Sequence, residues 1–225
     1  MILRVFYGGT FDPVHNGHLA VARTVRDVVG TTVWLLPSTD PPHRAVPGAS
    51  GEHRAAMLDL AVAGESGLRV DRRELVRGIP SRTIDTIHEL RAQYGAAAPL
   101  AFLVGADSFI GLPTWKASPA LLDAAHWIVA ERPGHPLDEH LPPEVARAAA
   151  GRWTLDAQAL RDAPGGRVLR LRQTDHPESA TQVRRRIGAG ETWHHLVPLP
   201  VARYIEQHGL YGARPRPAPG AGAGL

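Results

Sequence analysis

The chain has no cysteine in its 225 residues, which excludes disulfides and thiolate metal sites. It has a single lysine, Lys116, so its positive charge is almost entirely arginine, scattered among Asp and Glu. That distribution argues against a nucleic-acid partner, which would call for a basic stripe or face. No apolar run approaches the roughly 18 residues of a membrane span, so no membrane partner is expected. Only Met1 to Tyr7 precede Gly8-Gly9, too little for a secretory signal. From these absences a cytoplasmic location is expected.

What is present is ordinary globular composition, 44% hydrophobic and 21% charged residues, on a chain long enough to bury one sizeable core. The net charge of +3 suits a polyanionic small substrate. Residues 1–212 read as one domain, and residues 213–225, Pro/Gly/Ala with two arginines, as a disordered tail.

Continuous apolar runs predict strands at Ile2 to Tyr7, Thr32 to Leu36, Leu100 to Val104, His126 to Ala130 and Val168 to Leu171. Leu68 to Leu75 reads as one or two more. After Gly17 the apolar spacing turns helical through Leu19, Ala22, Val25 and Val29. Glu52 to Ala63, Pro119 to Ala125, Glu144 to Ala150, Ser179 to Gly188 and Val201 to His208 also read as helices. Another is capped by Ser81, striped by Ile84, Ile87, Leu90 and Tyr94, and stopped by Gly95. Ser38 to Gly51, with three prolines, reads as a loop. Strands alternating with helices, and apolar throughout, predict an α/β fold: a Rossmann-like parallel sheet with helices on both faces. Ligands of such sheets bind beyond the carboxyl ends of the strands, at the switch point.

The first motif at that edge is Gly8-Gly9-Thr10-Phe11-Asp12-Pro13-Val14-His15-Asn16-Gly17-His18. Its glycines let backbone approach a ligand closely, and its strand-to-helix position leaves N–H groups that favour an anion. It is neither a P-loop nor the dinucleotide fingerprint. His15 and His18, three apart, could ligate a metal, act as acid and base, or donate to phosphates. Two capping or surface histidines are the plain alternative.

Pro41-Pro42-His43-Arg44 is by itself a proline-rich loop with a cation. Ser81-Arg82-Thr83-Ile84-Asp85-Thr86-Ile87 is a helix start whose hydroxyls can cap or bind. Gly105-Ala106-Asp107-Ser108 ends a strand and puts a carboxylate where ribose hydroxyls could be held; Trp115 and Lys116 follow, and a lone Trp is usually core. Ser179-Ala180-Thr181-Gln182-Val183-Arg184 opens a helix with hydroxyls, N–H groups and an arginine, a phosphate clamp or a capped helix with a solvated Arg face.

Taken in order, these segments resemble the nucleotidyltransferase superfamily with the His-x-Gly-His signature, and within it the nicotinate mononucleotide adenylyltransferases. The resemblance runs from Met1 to about Tyr211. It implies that His15, His18, Arg44 and Arg184 serve the phosphates. It further implies that Gly8, Gly9, Thr10, Phe11, Gly105, Asp107, Ser179 and Thr181 bind ATP, and that Thr83, Trp115 and Lys116 line the pyridine pocket. Arg44 stands where that family has a lysine, and Arg82 where it has an aromatic. The Pro200 to Tyr211 ending also resembles the family and reads as packing.

The implied reaction joins nicotinic acid mononucleotide to the adenylyl group of ATP. Mg2+ bridges the phosphates and no protein ligand to a metal is expected. Phosphopantetheine adenylyltransfer, the amide mononucleotide as substrate, and a non-catalytic nucleotide sensor are the rival readings.

Overall fold

Strands that are apolar on both faces need cover on both, and the computed structural model supplies it. It describes residues 1–39, 48–80, 82–131, 137, 141–172, 176 and 178–214. The described residues form a seven-stranded sheet in the order β3-β2-β1-β4-β5-β7-β6. The strands are β1 (Arg4–Gly9), β2 (Val33–Pro37), β3 (Leu68–Val70), β4 (Leu100–Gly105), β5 (His126–Glu131), β6 (Trp153–Thr154) and β7 (Val168–Arg172). Every pairing is parallel. The helices are α1 (Asn16–Val29), α2 (Gly51–Val62), α3 (Arg73–Arg77), α4 (Thr83–Tyr94), α5 (Ala106–Ile110), α6 (Ser118–Ala124), α7 (Pro143–Ala149), α8 (Ala180–Gly188) and α9 (Leu199–Gln207).

The two-residue period of a strand sorts side chains into two cores. Val5 and Tyr7 of β1, Ala101 and Leu103 of β4, and Ile128 and Ala130 of β5 join one core with α1, α2, α8 and α9. Phe6, Leu100, Phe102, Val104, Trp127 and Val129 join the other, covered by α4, α6 and α7. In α1 the apolar stripe Leu19, Ala22, Val25 and Val29 is buried, and left-handed Gly30 (φ 62°) ends the helix by donating its N–H to the Arg26 carbonyl.

Chain order runs β1, β2, β3 to one side and β4, β5, β7 to the other, so the switch point lies between β1 and β4. Tyr7 pairs with Leu103, and continuing that register sets Gly9 beside Gly105. Both glycines therefore open the carboxyl edge at the crevice.

Three expectations need correction. Leu68 to Leu75 is strand only to Val70; Asp71 Oδ1 accepts the Arg73 N–H (3.0 Å), which turns the chain into α3. Glu74 of that helix is buried, where it accepts the Thr86 hydroxyl (2.7 Å) and so is held against α4. Arg82, with no side-chain cap, holds the N-cap position of α4, and Ser81 lies outside the described residues. Gly105-Ala106-Asp107 does not merely end a strand: Asp107 sits in the first turn of α5. The pairing of Trp153-Thr154 with β7 had no counterpart in the sequence reading.

Candidate active site

The turn after β1 carries two of the residues expected at the phosphates, His15 and His18. His15 occupies the N-cap of α1 in extended conformation and is 5% exposed. His18 lies one turn on, partly buried, with its ring stacked on that of His15 at 3.7 Å between centroids. The His15 backbone N–H donates to His18 Nδ1 (3.3 Å). A nitrogen that accepts cannot carry the proton, so this bond places the His18 proton on Nε2, the opposite corner of the ring. His18 is thereby a donor at the helix N-terminus, where the backbone dipole already favours an anion. The edge-on Phe11 ring, 5.0 Å away, flanks it.

His126 makes the contrast. Its Nδ1 accepts the Arg167 N–H (3.0 Å) and its Nε2 bonds the Ala163 carbonyl (2.8 Å), and desolvation lowers its pKa. With both ring nitrogens committed to backbone it is a structural histidine.

Close packing explains the small residues of the motif. A Cβ on Gly9 would stand 3.0–3.2 Å from the Phe11 ring. On Gly17 it would stand 3.1 Å from His15 Nδ1 and 3.2 Å from Cε1. Alanine in a helix is favoured over glycine by up to ~1 kcal/mol, so Gly17→Ala is expected to hold or raise Tm. The His15 ring, expected at the phosphates, would be pushed aside by the new methyl, and a loss of about tenfold in turnover is expected, since small misplacements near reacting atoms are expensive. Unchanged turnover in the folded variant would show that the ring position is not critical.

Arg184 reaches the same turn from α8. Ser179 caps that helix by accepting the Gln182 N–H (3.2 Å). Arg184 Nη1 donates to the Asp12 carbonyl oxygen (2.6 Å), and Nη2 lies 3.4 Å from the Thr181 hydroxyl. The side chain keeps 36% of its surface exposed, so the guanidinium is oriented yet accessible.

Sequence reading gave no role to the group that gathers these parts. The buried Asp12 carboxylate accepts the Gly48 N–H (2.7 Å), the Ala49 N–H (3.1 Å) and the Tyr211 hydroxyl (2.7 Å). Burial, then the Asp12 charge, push the Tyr211 phenol far above its usual pKa, so it stays a protonated donor. Arg54, 1% exposed, donates to the Thr10 carbonyl (2.7 Å) and the Ala49 carbonyl (3.2 Å). An acid inside a string otherwise suited to anions was the signal available for Asp12; nothing local marks Arg54.

Gly8 and Gly9 close β1 and Thr10 follows; Gly105 and Asp107 stand at the end of β4, both exposed. Thr83 opens α4, partly buried. Trp115 is partly buried with its ring edge-on to Trp127 at 6.0 Å, and Lys116 is exposed beside it. Trp115 therefore packs on the second core, as does the helix that Thr83 opens, and the helices that carry His15, His18 and Arg184 pack on the first. Arg44, with Pro41, Pro42 and His43, lies outside the described residues, as do residues 215–225 of the expected tail. Among the described residues no group of three or more His, Cys, Asp or Glu converges on a cation position, and no helix is long and apolar enough to cross a membrane.

Comparison with known proteins places the chain in a family. Residues 6–186 match the Cytidylyltransferase-like family. A probable nicotinate-nucleotide adenylyltransferase of Stenotrophomonas maltophilia is 52% identical over 94% of this chain and 97% of its own. One from Pseudomonas aeruginosa is 45% identical over 92% and 96%. The fold matches that of a Plasmodium falciparum nicotinic acid mononucleotide adenylyltransferase complexed with NaAD, at a TM-score of 0.72 and 14% identity over 95% of this chain and 99% of that one. The chain belongs to the Cytidylyltransferase-like family and, within it, to the nicotinate-nucleotide adenylyltransferases.

Proposed function

We propose that this crevice joins nicotinic acid mononucleotide to ATP, giving nicotinic acid adenine dinucleotide and pyrophosphate for NAD synthesis. The observation that carries the reading is the convergence of a histidine pair and an arginine on one glycine-rich turn at the sheet's switch point. The mononucleotide phosphate is largely ionised at neutral pH. Its oxygen attacks the α-phosphorus of ATP, a new P–O bond forms, the bond to the α,β-bridging oxygen breaks, and pyrophosphate departs with the electron pair. No general base is needed, so catalysis is positioning plus neutralisation of charge.

His18 donates from Nε2 to a phosphate oxygen, with His15 packed against it, and Arg184 and Arg44 take the triphosphate. Gly8, Gly9, Thr10 and Phe11 pass along the nucleotide, Ser179 and Thr181 present donors at the start of α8, and Asp107 beside Gly105 accepts from ribose hydroxyls. Thr83, Trp115 and Lys116 take the pyridine end. Nitrogen donors suit phosphate oxygens rather than a hard cation, so a magnesium ion would be held by the ATP phosphates and water rather than by these side chains. When bound it neutralises charge on the phosphates. We place this chemistry in the cytoplasm, where ATP is at hand.

Turnover with ATP, magnesium and either the acid or the amide mononucleotide, resolved by chromatography, tests the reading. Fast dinucleotide formation from the acid and little from the amide is expected. Absence of product from both, in protein that binds ATP, would reject the substrate.

A further inference from the structure

Asp12 and Tyr211 are 199 residues apart in sequence, yet the Tyr211 hydroxyl donates to Asp12 Oδ1 at 2.7 Å. The same carboxylate holds the N–H groups of Gly48 and Ala49, which lead into α2. The same residue's carbonyl oxygen takes Arg184 Nη1 at 2.6 Å, while Asp12 Oδ2 lies 3.6 Å from that nitrogen. One residue therefore ties together the glycine-rich turn, the approach to α2, the C-terminal turn and the arginine of α8.

The fit is close. Tyr211 adopts φ 60°, a left-handed conformation unusual for a residue with a side chain, and a Cβ on Gly48 would stand 3.1 Å from its ring. A turn held in that conformation is over-determined by its surroundings. A carboxylate beside a triphosphate site would ordinarily repel the ligand and capture a neighbouring guanidinium. Here two backbone N–H groups and a phenol occupy its oxygens, and Arg184 gives its hydrogen bond to the neutral carbonyl while standing 3.6 Å from Oδ2.

We propose that Tyr211 and Asp12 are positioning residues which keep Arg184 turned toward the triphosphate rather than collapsed onto the Asp12 carboxylate. The idea rests on the assignment of Arg184 to the triphosphate. Without the Tyr211 hydroxyl, Asp12 Oδ1 keeps only the Ala49 N–H, and Arg184, already 3.6 Å from Oδ2, is a cation able to supply the missing bond. A guanidinium drawn the short remaining distance into that pair is lost to the ligand.

The test is equilibrium binding of ATP and of AMP to Tyr211→Phe, alone and with Arg184→Ala. Neither measurement needs the second substrate, so a wrong choice of mononucleotide would leave the result intact. Tyr211→Phe is expected to bind ATP about tenfold more weakly, the worth of one hydrogen bond to a charged group, with AMP binding unchanged. In the Arg184→Ala background the further loss of ATP affinity should be less than about twofold, because the two residues act through one contact. Equal losses for ATP and AMP would reveal a general structural role and overturn the proposal. So would unchanged ATP binding, or a full tenfold loss on top of Arg184→Ala. Asp12→Asn is the second variant: its neutral amide cannot capture Arg184, so in that background Tyr211→Phe is expected to cost ATP affinity less than about twofold. A full tenfold loss on adding Tyr211→Phe to a folded Asp12→Asn protein would overturn the proposal independently.

Discussion

His18→Ala is expected to lower turnover by ~10²–10³, the typical loss when one preorganised donor to developing charge is removed. The expectation follows from the bond that sets its tautomer. His18 Nδ1 is occupied by the His15 N–H, so the proton on Nε2 is present before substrate arrives and no reorganisation is needed at the moment of reaction. Alanine removes that donor and also the acceptor for a backbone N–H at the start of α1. Loss of a cap costs about 1 kcal/mol, too little to unfold the protein, and the partly exposed turn lets water replace it. His18→Gln, whose amide can place an N–H near the lost one, should recover part of the rate. Single-turnover kinetics at saturating ATP separate the two effects, since a transition-state donor changes the chemical step with little change in ATP affinity. Near-wild-type turnover in folded His18→Ala would remove His18 from the chemistry.

The central strands and their parallel, doubly covered sheet could be read from the chain because they rest on local patterns. Leu100 to Val104 and His126 to Ala130 are unbroken apolar runs, and such runs have one stable home, inside a sheet covered on both faces. Leu68 to Leu75 misled because Leu-Arg-Val-Asp alternates like a strand, while the feature that stops it is the Asp71 carboxylate bonding two residues ahead. Trp153-Thr154 is extended only because β7 lies beside it, a cause that no window of sequence contains.

The site divides in the same way. His15, His18 and Arg184 stand in strings whose spacing already suggests phosphates. What sequence could not convey is that Arg184 meets the first motif through a carbonyl 172 residues away, or that a tyrosine read as packing completes the Asp12 cluster. Local chemistry announces donors; their aim is a property of long-range closure.

The two-core arrangement yields the largest stability prediction. Trp127 is fully buried and is the centre of the second core, with Phe102 and Trp115 at 6.0 Å and Phe109 at 6.4 Å between ring centroids. Its indole N–H donates to the Leu121 carbonyl (3.0 Å). Trp127→Ala should cost ~3–5 kcal/mol for the lost burial and the cavity left behind. Removing the donor to Leu121 adds about 1 kcal/mol. Against a usual total of roughly 5–15 kcal/mol this is a large fraction, and Tm should fall by about 10 °C or more. The function should suffer selectively. Trp115 leans on Trp127, whereas His15, His18 and Arg184 are carried by elements packed into the first core. Below the lowered Tm, KM for the mononucleotide should therefore rise several-fold while KM for ATP stays near its wild-type value. Trp127→Phe, which keeps a ring in the cluster, should lie between the two in both measurements. Equal rises in both KM values would mean that damage crosses the sheet freely and that the pyridine and phosphate ends of the crevice are not supported separately.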